Sequence, residues 1–233
     1  MNNPHPLDRP VWNALTTRQA HLALGDASKA VRFPFDIEPF GAALTNSPQD
    51  LAALGALMPI DNGVATVERG GIATPPDFVT MIDEPIHQMT APRIAAPEPD
   101  PAIMPLGDGD AAEMQALAEL TQPGPFYART HTLGDFVGVR EKGRLIAMAG
   151  ERLRVPGFTE ISAVCTHPDA RGRGLAAKLM RVVAARIVAR GEALFLHVYP
   201  HNKAAIAVYQ RLGFRHRADV QLTVFRHRQP GEI

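Results

Sequence analysis

The stretch Glu160-Ile-Ser-Ala-Val-Cys-Thr-His-Pro-Asp-Ala-Arg-Gly-Arg-Gly-Leu-Ala176 constrains the fold more than any other part of the chain. An apolar run reads as a strand, a tight polar turn follows, and Leu175 opens a helical apolar stripe. Pro168 and Asp169 stop the strand, while Gly172 and Gly174 remove side chains where the backbone must come close to something. Such a turn leaves N–H groups pointing outward at a helix N-terminus, which is an anion site and above all a phosphate site. Arg171 and Arg173 add two cationic side chains there, so the expected ligand is a phosphate or pyrophosphate. Gly172-Arg-Gly174-Leu-Ala-Ala177 imitates a dinucleotide fingerprint. However, Pro168 to Arg171 separate the strand from the first glycine, and the next acidic residue, Glu192, precedes the following strand instead of ending it. A P-loop is excluded because no Gly-Lys-Ser/Thr is present.

The elements on either side follow from periodicity and punctuation. A helix is expected over residues 174 to about 190, with Leu175, Leu179, Val182, Val183 and Ile187 on its buried side and Gly191 closing it. A strand over 194–199 completes a parallel strand–helix–strand unit. The last helix, 202–212, is capped by Asn202 and Gly213, and residues 220–226 form a closing strand before a polar tail. Upstream, 102–106 reads as a short strand, 110–120 as a helix, and 135–140, 144–154 and 158–166 as an antiparallel meander. Residues 1–82 read as short strands around one or two helices: a helix over 49–58 opened by Ser47-Pro48, a turn at Asp61-Asn62-Gly63, and a strand over 64–68. Residues 84–105 are proline-rich and read as a semi-rigid connector, which sets a domain boundary near Asp100 and divides the chain into 1–100 and 101–233.

Arg171-Gly-Arg-Gly-Leu-Ala176 fits the Arg/Gln-x-x-Gly-x-Gly/Ala signature of the GNAT acetyltransferases. With Leu194-Phe-Leu-His-Val-Tyr-Pro-His-Asn202, Tyr209 and Leu212-Gly-Phe214 downstream, residues 102 to 226 resemble the FR47-like branch of that family. The resemblance implies an α/β fold: a mixed, mostly antiparallel sheet flanked by helices in the C-terminal half. A smaller α/β N-terminal domain, resembling a degenerate copy of the catalytic fold, would precede it. It also implies acetyl-CoA as co-substrate, with its pyrophosphate on the loop Arg171, Gly172, Arg173, Gly174, Leu175 and Ala176. By the same resemblance the backbone of Val164, Cys165 and Thr166 pairs with the pantetheine arm, and residues 126–134 form a mobile segment over the acceptor pocket. Asn202 and Tyr209 are seven residues apart, two helical turns, and so share a face. The family role would have Asn202 hydrogen-bond the cofactor arm and Tyr209 protonate the departing thiolate; the bland role is a helix cap and a core aromatic. The general base stays open between Glu160, His197, a water-mediated group and none.

Lys plus Arg and Asp plus Glu both total 24, so charge gives no reason to expect a nucleic-acid or membrane surface. One cysteine suits a reducing compartment, the N-terminus does not resemble a signal peptide, and no apolar run is long enough to span a bilayer, so the expected location is cytoplasmic. Cys165 reads as a buried structural thiol, since no histidine-and-acid arrangement accompanies it. His197 and His201 span a strand end instead of one helical face, and no metal is expected. The chain therefore reads as an N-acetyltransferase that moves an acetyl group from acetyl-CoA to a primary amine by direct attack in a ternary complex, the acceptor being a small molecule or a peptide. The alternative is a catalytically silent acyl-CoA-binding module; a homodimer is left open.

Overall fold

The computed structural model describes residues 5–59, 62–229 and 231. Its first hundred residues supply α1 (Pro10–Leu15), a small antiparallel sheet of β1 (Leu24–Asp26), β2 (Ala30–Arg32) and β3 (Gly41–Ala43), and α2 (Pro48–Ala56). Two more strands, β4 (Val64–Glu68) and β5 (Phe78–Ala91), belong to a different sheet. The second half adds β6 (Ile103–Leu106), α3 (Ala111–Thr121), β7 (Phe136–Glu141), β8 (Arg144–Val155), β9 (Phe158–Thr166), α4 (Leu175–Ala189), β10 (Ala193–Val198), α5 (Lys203–Leu212) and β11 (Arg215–His227). The mixed, mostly antiparallel sheet has eight strands in the order β4-β11-β5-β10-β9-β8-β7-β6.

The expected boundary near Asp100 falls between β5 and β6, yet the sheet crosses it. β5 lies between β10 and β11 and is antiparallel to both. It takes in residues 84–91, Pro85 among them, which the proline spacing assigns to the connector. The register explains how a strand tolerates that proline. β10 pairs only with residues 87 to 91 of β5, so Pro85 faces β11 on one side and an unpaired edge on the other, where a missing N–H breaks no ladder. β11 in turn begins at Arg215, five residues before its expected start at 220, because β5 offers it a partner along its whole length. The apolar cluster at residues 11–15 is helical; Pro10 opens α1 at the position where a missing N–H costs nothing. Asp61 of the expected turn and residues 230, 232 and 233 of the expected tail lie outside the described residues. Among the described residues, no helix is long and apolar enough to cross a membrane.

α4 covers one face of the sheet. Leu175, Leu179, Met180, Val183, Ala184 and Ile187 recur at helical spacing and are all buried. They pack on Val137, Ile146, Ile161, Leu194 and Leu196 in the largest core cluster. Burying each large aliphatic side chain stabilises the fold by about 1.5–3 kcal/mol, so this stripe holds α4 firmly enough to present its N-terminus as a fixed feature. α3 packs with Leu145, Met148, Ala163 and Cys165 in a separate cluster. The N-terminal segment places Leu7, Val11, Phe33, Ile37 and Phe40 in a cluster with Leu153, Val155 and Phe195 of the large sheet. The two halves therefore share a core as well as a sheet.

Candidate active site

β9 and β10 run parallel but pair only at Phe158, Thr159 and Glu160, opposite Ala193, Leu194 and Phe195. β9 then continues to Thr166 beside β8, and β10 to Val198 beside β5, with no pairing between them. The two strands part, and the inner backbone edge of β9 is left unpaired over Val164, Cys165 and Thr166. A bulge accompanies the parting. Between Cys165↔Met148 and Ser162↔Gly150, β9 has one residue more than β8, and Ala163 takes a φ of +50°. The extra residue reverses the alternation: Ile161 packs beneath α4, whereas Ala163 and Cys165 pack with α3 and Val164 turns toward the α4 side. Burial pushes the Cys165 thiol up to about 11, so it is an inert packing group whose backbone is what it offers.

The turn after β9 ends in two glycines with left-handed backbone, φ +78° at Gly172 and +75° at Gly174. A Cβ at either would meet nothing within 4 Å, so backbone conformation and open space, not protein packing, account for them. Gly174 is the N-cap of α4 and provides no side-chain cap; the first helical bond runs from Lys178 N to Gly174 O at 3.2 Å. The N–H groups of Leu175 and Ala176 thus face outward without intrahelical partners. Arg171 is exposed and has no ion-pair partner among the described residues, while Arg173 lies 3.1 Å from Glu141.

Asn202 caps α5 by accepting a hydrogen bond from Ala205 N at 3.1 Å. Tyr209, two turns on, packs partly buried against the same cluster as Val164, its ring 6.2 Å from that of Phe214. Its hydroxyl has no hydrogen-bond partner among the described residues, and burial pushes the phenol up to about 12. It therefore holds its proton at neutral pH.

Glu160 and His197 meet directly, His197 Nδ1 lying 2.8 Å from Glu160 Oε1. Arg152 donates to both Glu160 oxygens, at 2.9 and 2.8 Å, as a bidentate pair. Burial alone would raise the Glu160 carboxyl; the Arg152 charge and the hydrogen bonds from Arg152 and His197 outweigh it and hold the group down at about 2. Gln88 Nε2 donates to Leu7 O at 2.9 Å and lies 3.0 Å from His197 Nε2, while its Oε1 accepts from Arg217 at 2.7 Å. Those partners orient the amide, so His197 accepts on Nε2 and donates from Nδ1. Arg217 continues to Asp8 at 2.5 Å. One residue from each of five adjacent strands, Arg217, Gln88, His197, Glu160 and Arg152, thus forms a continuous polar seam across the sheet.

The family description FR47-like protein matches residues 136–224. A solved GNAT-family structure from Novosphingobium aromaticivorans is 42% identical, with 97% of this chain and 100% of that chain covered, at a TM-score of 0.90. The chain belongs to the GNAT family of acetyltransferases. Among curated proteins, N-alpha-acetyltransferase RimI of Mycobacterium tuberculosis is 37% identical over 83 residues, 34% of this chain and 51% of that protein. An uncharacterized protein of Mycobacterium leprae is 29% identical over 208 residues, 81% of this chain and 56% of that protein. The GNAT chain described here thus spans about half the length of the curated relatives it matches.

Sequence reading overlooks several residues of this candidate site. Arg152 sits on a second bulge, where β8 carries one residue more than β9 between Glu151↔Ile161 and Arg154↔Thr159, and that extra residue aims the guanidinium at Glu160. Gln88 and Arg217 come from strands far apart in sequence, and no local spacing points to them. The segment 126–134 is tied down: Arg129 N donates to Asp36 O at 2.8 Å and Thr130 Oγ1 to Ile37 O at 2.5 Å. Beside that contact, Glu38 is fully buried and neither carboxyl oxygen has a hydrogen-bond partner among the described residues. Elsewhere, His87, His216 and Asp219 bring donor atoms within 4.8 Å of one another, but Asp219 Oδ1 already accepts from both rings at 2.7 and 2.8 Å.

Proposed function

We propose that this GNAT chain transfers the acetyl group of acetyl-CoA to a primary amine by direct attack in a ternary complex. The parting of β9 from β10 beside the glycine turn carries this reading, because it joins an unpaired strand edge to an uncapped helix N-terminus in one continuous path. An arm rich in amide groups can hydrogen-bond to Val164, Cys165 and Thr166 as an added strand would, and its pyrophosphate can take the N–H groups of the turn. The loop residues Arg171, Gly172, Arg173, Gly174, Leu175 and Ala176 would hold that pyrophosphate, and Asn202 would meet the arm at the start of α5. Tyr209, which keeps its proton, would give it to the departing thiolate.

The acceptor is a small-molecule or peptide amine. The name of the RimI relative specifies an α-amino group, which makes a peptide with a free N-terminus the first acceptor to try beside simple alkyl amines. The test is calorimetric binding of acetyl-CoA to wild type and to Gly174→Glu, followed by thiol release with those amines. Micromolar binding that weakens at least ~100-fold in Gly174→Glu, about 2.7 kcal/mol, supports the site. Absent binding in wild type reduces the glycine loop to a tight turn. Binding without thiol release would make the chain an acyl-CoA-binding module, a reading favoured by one observation: Glu160 and His197 are both committed to structural partners.

A further inference from the structure

Glu38 is the one acidic side chain among the described residues that is wholly out of solvent with both oxygens unpartnered. A buried carboxyl left this way costs several kcal/mol if charged, so its surroundings need a reason. Those surroundings are bracketed by neighbours on both sides in sequence. The Ile37 carbonyl holds Thr130 of the 126–134 segment, and the Phe40 ring lies 5.1 Å from the Arg152 guanidinium, which in turn grips Glu160. Glu38 therefore sits between the segment expected over the acceptor and the point where β9 and β10 part. The charged and titratable groups that act on it are Arg152 from β8 and Glu160 from β9, and Tyr127 of the covering segment feels its charge in return.

We infer that Glu38, brought to the site by the N-terminal half, is the group that receives the proton lost by the acceptor amine. The inference rests on the acetyl-transfer reading above and adds a residue from outside the FR47-like match. Glu160 is held at about 2 by its partners and has little basicity, and His197 already accepts on Nε2 from Gln88. Glu38, by contrast, is pushed up to about 8, first by burial and further by the Glu160 charge, against the opposing pull of Arg152. Two carboxyls whose environments drive them this far apart divide the roles of fixed anion and proton carrier.

In the step itself the acceptor arrives as R–NH3⁺ and gives one proton to the Glu38 carboxylate. The freed amine attacks the thioester carbon, so that a C–N bond forms and the C–S bond breaks. The departing sulfur takes the Tyr209 proton, and the second nitrogen proton replaces it on Tyr209. Glu38 then releases its proton to solvent. The sum is R–NH3⁺ plus acetyl-CoA giving the amide, free CoA thiol and H⁺.

Glu38→Gln, the neutral isostere, tests this in the full chain. Expected are acetyl-CoA affinity as in wild type, kcat for thiol release lowered ~100-fold, and loss of the wild-type rise in kcat/KM centred at about 8. The acceptor's own ionisation is common to both proteins, so the limb that disappears belongs to Glu38. Glu38→Asp, which keeps a carboxyl, should keep a limb. Thermal melts add a readout that needs no acceptor. The folded carboxyl titrates at about 8 and the unfolded one near its ordinary 4.5, so wild type should lose stability relative to Glu38→Gln as pH rises through that window. Unchanged kcat and pH limb in Glu38→Gln, or parallel melting curves across that window, would overturn the assignment while leaving the acetyltransferase reading intact. Wild type that binds acetyl-CoA but releases no thiol with any of the amines overturns both.

Discussion

The two ends of β9 have opposite character. At Phe158 to Glu160 the strand is paired on both sides, and its carboxylate is buried in a bidentate ion pair. From Ser162 to Thr166 it is paired on one side only, bulges at Ala163, and leads into an exposed turn of left-handed glycines. The first end fixes where the strands begin to separate, and the second is what the separation leaves available. A wedge-shaped opening in a sheet needs both, because two strands that part without a firm hinge would simply close again on each other's hydrogen bonds.

The comparison breaks most visibly at the closed end. Arg152→Met should lower unfolding free energy by about 3–5 kcal/mol in urea titration, since it strands the Glu160 charge in the core. A loss under 1 kcal/mol would mean that solvent reaches Glu160 and the closed end is not closed. The same pair sets the acid side of the stability curve. Glu160 is held at about 2 in the folded chain against an ordinary value of 4.5, so its contribution is complete above 4.5 and is lost as pH falls toward 2. Melting temperatures over that range should fall more steeply in wild type than in Glu160→Gln.

At the open end the expected effects are on chemistry. Tyr209→Phe should lower kcat for thiol release about 100-fold with acetyl-CoA affinity unchanged, because it removes only the proton. Equal rates would return Tyr209 to the role of a core aromatic. The smallest effect sharpens the boundary between the ends. In an ordinary strand, Ala→Gly costs on the order of 1 kcal/mol in backbone entropy plus a buried methyl. At Ala163 the relief of left-handed strain offsets that loss, so Ala163→Gly should be neutral to about 0.5 kcal/mol in the same urea assay.

The same contrast separates what could be read in the sequence from what could not. The glycine turn, α4, the meander and the cap at Asn202 rest on spacings within about twenty residues, and they stand within one or two residues of where periodicity puts them. The polar seam is assembled across strands, and a bulge on β8 aims its key arginine; neither leaves a local trace. Glu38 looks like one more acid in a loop. Its burial is set by residues ninety positions away, such as Thr130, 93 residues from Ile37. Likewise Pro85, read locally as linker, sits in a strand because only one edge there is paired.

The place of β5 bears on how the chain is made. It is synthesised well before both strands that flank it: Asp83 waits 140 residues for Thr223. Translation at about 5–20 residues per second leaves that strand with two bare edges for several seconds. Glu84 and Pro85 then act as guards, a charge and a missing donor on the segment most exposed to pairing with a stranger. Closure of the sheet waits for β11, whereas the candidate wedge needs only β9 and β10, with β10 seated beside the earlier β5.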